Sequence, residues 1–99
     1  MNWISVKDRL PENEQSVLVC VKRKNYSGSG QEYYKFIMQA FYTDGKHTPE
    51  ESGYLWEEEY DEKIPKGWWE DCYCSEEFSP LDKDMEVTHW ARMPEPPKE

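Results

Sequence analysis

The sequence predicts a mostly β or α+β fold: a single small domain over residues 1–99, with about four to five mainly antiparallel strands, long polar loops and little helix. Three observations predict it. The apolar residues gather in short runs rich in β-branched and aromatic side chains, above all "SVLVCVKR" (16–23) and "EYYKFIMQAFYT" (32–43). Between the runs stand Pro, Gly, Asn and Asp clusters that end local structure. The chain of 99 residues has room for one core only.

In chain order, "WISV" (3–6) reads as a first edge strand, and Pro11 breaks the polar stretch that follows. Residues 16–23 are apolar on both faces from Val17 to Val21 and read as a central strand. "KNYSGSGQ" (24–31) reads as a hairpin connection, since the phosphate-loop pattern GxxxxGK[ST] is absent. In 32–43, alternation sets Tyr34, Phe36, Met38, Ala40 and Tyr42 on the core face. Tyr33, Lys35, Ile37, Gln39 and Phe41 take the other.

Asp44-Gly45 makes a turn. Thr48-Pro49-Glu50-Glu51 carries a helix-start pattern, a Thr cap with Pro first and Glu third, and Gly53 limits it to one turn. "YLWEEEYDEKIPKG" (54–67) fits a strand or a helix face equally. "GWWEDCYC" (67–74) reads as a strand with Trp69 and Asp71 on one side and Trp68 and Glu70 on the other. "SEEFSPLDKDME" (75–86) reads as an acidic loop. "VTHWARM" (87–93) reads as the last strand, with Val87, His89 and Ala91 on one face and Thr88, Trp90 and Arg92 on the other. Trp90 is the natural core residue tying this strand to the start of the chain. The terminal prolines end pairing and suit a polyproline-like tail laid across the sheet, on Trp3 or another aromatic.

Charge narrows the function classes. The net charge of −9 is uneven: residues 1–49 carry seven Lys/Arg against five Asp/Glu, and residues 50–86 carry three against fourteen. An acidic middle repels phosphate backbones, so nucleic-acid binding, for which Lys22, Arg23 and Lys24 are the candidates, is the least favoured reading. Mean hydropathy of −1.08 would suit disorder, but the aromatic and β-branched blocks oppose it. No 18-residue apolar stretch spans a membrane, no apolar signal opens the chain, and three cysteines give no even disulfide framework. The expected compartment is the cytoplasm.

No motif specifies a reaction, and no catalytic residue or cofactor is expected. Cys72 and Cys74 point the same way on a strand and, with His89, form the best metal set. Structural zinc needs four ligands, commonly at C-x₂₋₄-C spacing, and the fourth would have to be Cys20 or His47. The plainer reading is of cysteines acting as small apolar residues. A Cys–His nucleophile pair is opposed by the anionic flanks of Cys72 and Cys74. The run "EEEYDE" (57–62) lacks the spacing of a calcium loop and reads as a solvated face. On a strand only one of Trp68 and Trp69 enters a given core. The other is covered by the 43–66 connection or forms a contact surface together with Glu57, Glu58 and Glu59.

The blocks "WISVKDRLPENEQSVLVC", "IPKGWWE" and "VTHWARMPEPP" together resemble the DUF551 family, small proteins of bacteriophages, prophages and bacterial genomes. The sequence departs from that pattern at Ala91-Arg92, where an apolar or small pair such as Met-Pro is expected. The resemblance implies a setting and a fold, with no catalytic residues to carry over. The resulting expectation is an accessory interaction protein with an acidic, aromatic contact surface and a basic protein partner. The rival is a small zinc-binding domain built on Cys72, Cys74 and His89.

Overall fold

In a computed structural model of the chain, residues 2–25, 30, 32–53, 63–71 and 78–97 are described. They form one open sheet of six antiparallel strands: β1 (Ile4–Ser5), β2 (Val17–Lys24), β3 (Tyr33–Thr43), β4 (Gly67–Asp71), β5 (Phe78–Pro80) and β6 (Met85–Arg92). Across the sheet the order is β1-β6-β2-β3-β4-β5. The last strand thus leaves the far edge and inserts between the first two.

β2 is central, as its apolar character on both faces requires. It pairs with β3 from Val17↔Ala40 to Lys24↔Tyr33, and the Asn25 amide closes the hairpin on the Glu32 carbonyl at 2.8 Å. Val17, Val19 and Val21 are fully buried and form the main core with Ala40, Val87 and Trp90. Ile4, Val6, Phe36, Met38, Trp68, Leu81 and Met85 pack around it. Trp90 faces Ile4 across the first pairing and donates its indole N–H to the Arg9 carbonyl at 2.8 Å, so the end of the chain is locked to its start.

Four expectations need correction. β6 does not alternate strictly: Cys20 faces His89 but Val21 faces Val87, so Thr88 is an extra residue in a β-bulge. The bulge reverses the alternation, and Val87 and Trp90 both reach the main core. On β3, Phe41 lies off the main-core face yet is fully buried, because it stands opposite Trp69 in a second packed region. Phe78–Pro80, read as loop, is a strand; proline is tolerated there because β5 is the sheet edge. Residues 93–97 are exposed along their length, so the terminal prolines are not buried against Trp3 or another aromatic.

The helix start at Thr48 is realised as a single 3₁₀ turn, Pro49–Glu51. The Glu51 carboxylate accepts from the Thr48 N–H at 3.1 Å and the Thr48 hydroxyl at 3.0 Å. The connection is tied to the lead into β2 by Glu14, which sits at φ 60° and donates its N–H to the Tyr42 carbonyl. The Glu14 carboxylate accepts from the Gly53 amide at 2.8 Å and from the Ser52 hydroxyl. The ambiguous stretch 54–62 lies outside the described residues.

Candidate functional site

The outer face of the sheet, opposite the main core, carries one row of chemistry-bearing residues. Ser5 on β1 faces His89 on β6, His89 faces Cys20 on β2, and Cys20 faces Ile37 on β3. Cross-strand neighbours of this kind have Cβ atoms about 4.5–5.5 Å apart. Cys20 and His89 are half-buried and, with Trp3, line a concavity of about 180 Å³.

The hydrogen bonds around His89 assign its tautomer. The Thr88 hydroxyl donates to the Cys20 carbonyl at 3.3 Å, so its oxygen is the acceptor for His89 Nδ1 at 3.0 Å. Nδ1 therefore carries the proton in the neutral ring, leaving the Nε2 lone pair free for another donor. The register sets the Cys20 thiol beside the His89 imidazole, but among the described residues no hydrogen bond joins them, so the contact that a nucleophile and its base require is absent there.

The bulge residue that reverses the alternation of β6 is thus also the one that orients His89. Cys20 was legible only as a distant fourth metal ligand, because the pairing of β2 with β6 joins segments from opposite ends of the sequence.

The proposed metal ligands Cys72 and Cys74 lie outside the described residues, as do Glu57, Glu58 and Glu59. Among the described residues no group of three or more His, Cys, Asp or Glu side chains gathers as a metal site. His47 is engaged elsewhere, with Nδ1 3.0 Å from Asp44 Oδ1 on the β3–β4 connection. Burial pushes the Asp44 carboxyl up, but the Lys46 amide and the His47 ring together hold it below its ordinary value.

Trp69 is interior. It stands opposite Phe41 and donates its indole N–H to Thr43 Oγ1 at 3.0 Å, while the Thr43 hydroxyl donates to the Pro65 carbonyl at 2.6 Å. The 43–66 connection also contributes Ile64, only 2% exposed, whose N–H donates to the His47 carbonyl. Trp68 turns to the main core and meets Tyr42 edge-on at 5.1 Å, remaining half-buried.

Of the basic candidates, Lys22 and Lys24 alternate with Arg23 along β2 and so lie on opposite faces from it. The Lys22 ammonium stands 4.3 Å from the Tyr33 ring centroid. Arg23 is neutralised by Asp84 at 3.2 Å and Asp82 at 3.1 Å, and its hydrogen bond to Asp84 outweighs desolvation and raises its pKa. The run does not present three free charges on one surface.

Where the opening segment meets the end of β6, a larger cavity of about 680 Å³ is lined by Asn2, Ile4, Arg9, Ala91, Arg92 and Pro94. No pattern in the sequence marks Arg9 and Arg92 as partners, since they share neither an element nor a motif.

No helix among the described residues is long and apolar enough to cross a membrane. A family model described as "Protein of unknown function (DUF551)" matches residues 2–98. No curated protein and no solved structure matches the chain.

Proposed function

Since the chain belongs to the DUF551 family, whose description carries no activity, we propose from its own features that it is an accessory interaction protein of phage or prophage type, acting in the cytoplasm without an enzymatic activity of its own. The observation that carries this reading is the exposed part of the outer sheet face around Ile37 and Tyr33, away from the region packed over Phe41 and Trp69. Ile37, in the row of Cys20 and His89, is 59% exposed, and Tyr33 on the same strand is 48% exposed. Large apolar side chains standing open on a regular sheet are what a partner surface would bury.

Charge supplies the second element. Residues 50–86 carry a net −11, three Lys/Arg against fourteen Asp/Glu, and this favours a partner with a basic face. Glu57, Glu58 and Glu59 are the proposed contact residues of that segment; Trp68, half-buried on the main-core face, stands apart from the outer-face row. The phage or prophage setting is what the family likeness implies.

The test is co-purification of the chain from cells of a host carrying its gene, with two variants compared against the parent. One reverses Glu57, Glu58 and Glu59 to Lys, and the other is Ile37→Asp on the outer face. A partner identified with the parent and lost with either variant, at unchanged thermal unfolding, supports the reading. A partner retained equally by both would remove it.

A further inference from the structure

Arg9 and Arg92 stand on the walls of the same cavity, and the sequence gives no hint of it. The larger cavity, about 680 Å³, has apolar walls from Ile4, Ala91 and Pro94 and polar groups from Asn2, Arg9 and Arg92. An adjoining hollow of about 240 Å³ shares both arginines and adds Glu12, Gln15 and Trp90. A volume in this range, mostly apolar with a few convergent polar groups, is the usual form of a small-ligand site.

Among the described residues neither guanidinium has a carboxylate partner. Among the described residues the ion pairs are those of Arg23 with Asp82 and Asp84 and of His47 with Asp44. Both arginines are exposed, so each fork is open to a ligand entering the cavity. Arg9 is also held in place: its guanidinium carbon lies 5.8 Å from the Trp90 ring centroid, and its carbonyl accepts the Trp90 indole N–H. That indole is buried, so one of the two forks rests on a rigid support.

We infer that this cavity is a binding site for a small organic oxyanion, a carboxylate or phosphate head with an apolar body. The planar forks of Arg9 and Arg92 take the head, and Ile4, Ala91 and Pro94 cover the body. The overall charge of −9 repels anions at long range, so selection rests on short-range hydrogen bonding and favours a compact ligand over a polyanion. This inference stands apart from the interaction reading, which uses the outer sheet face and the acidic segment.

The test is titration of the ¹⁵N-labelled full chain with phenyl phosphate, phenylacetate, inorganic phosphate and benzyl alcohol. The readout is the indole N–H of Trp90, which reports on Arg9 through their shared hydrogen bond. The expected result is a saturable shift with phenyl phosphate or phenylacetate, the tighter of the two identifying the head group. Inorganic phosphate and benzyl alcohol each bind about tenfold more weakly or worse. Arg92→Gln, at an exposed position, weakens binding about tenfold at unchanged unfolding temperature. Arg23→Gln, whose arginine is already paired, leaves binding unchanged. No shift with any probe, equal binding of benzyl alcohol, or full binding by Arg92→Gln overturns the inference.

Discussion

Val87 and Trp90 enter the same core from one strand, although strict alternation would send them to opposite faces. Thr88 makes this possible as the extra residue of a bulge against Cys20 and Val21. Deleting Thr88 removes the bulge and leaves Val87, His89 and Trp90 in strict alternation, so both core residues keep their face. Deleting Thr88 and His89 together instead sets Val87 and Trp90 on opposite faces and must expel one of them. The single deletion should cost little, and the double deletion several kcal/mol, a large share of the ~5–15 kcal/mol available to a small domain. Urea unfolding of the two deletion variants side by side checks this; equal stabilities would refute the role given to register.

Trp90 tests the closure of the chain. Trp90→Ala should lose about 3–5 kcal/mol, from the cavity left behind in a well-packed core. Trp90→Phe keeps most of the packing but orphans the Arg9 carbonyl, and should cost about 1–3 kcal/mol. Chemical denaturation of both variants reads the two contributions separately, and a Phe variant as damaged as Ala would deny the packing its larger share.

Thr43 is the junction of the second packed region, accepting a hydrogen bond from the Trp69 indole and donating one to the Pro65 carbonyl. Thr43→Val preserves shape and removes both bonds at a position only 1% exposed, so about 1–3 kcal/mol of stability should be lost. Thr43→Ser, which retains the hydroxyl, should recover more than half of it. Thermal melts of the pair decide.

Acid should loosen the β3–β4 connection before it affects the main core. Asp44 lies below its ordinary 3.8: burial pushes it up, and the Lys46 amide with His47 more than offsets that. Glu51 is held below its ordinary 4.5 by the Thr48 N–H and then its hydroxyl. Both folded-state values are depressed. Their stabilisation is therefore complete above the ordinary carboxylate values and is lost as pH falls through the lower folded values. Asp44→Asn with Glu51→Gln should flatten the fall in stability below about pH 4.5. An unchanged acid limb would show that other carboxylates set it.

Metal removal separates the interaction reading from its rival. Native mass spectrometry of protein purified without chelator is expected to give the metal-free mass, with folding indifferent to chelator. One zinc per chain, lost together with folding, would instead make Cys72, Cys74 and His89 structural ligands and reverse the ranking.

Strands announced by their own composition were legible without a structure. Val17–Lys24 and Tyr33–Thr43 carry enough β-branched and aromatic residues to declare themselves, and the turn of Thr48 to Glu51 is written in four adjacent residues. β5 was not legible, because Phe78–Pro80 exists only through pairing with β4 and its proline is acceptable only at an edge. Glu57, Glu58 and Glu59 were visible as charge, and Trp68 and Trp69 as a pair, but which tryptophan lies inside depended on Thr43 and Tyr42 standing beside them.

The sequence by itself determined which segments extend, where they turn and how charge is distributed, since each rests on neighbours along the chain. Only the tertiary structure decided what meets what: Cys20 against His89, Trp90 against Arg9, and Arg9 with Arg92 around one cavity. Those pairs join opposite ends of the chain, and β6 inserts between β1 and β2 with a bulge. One extra residue in a strand exchanges every face beyond it, and local composition carries no record of that exchange.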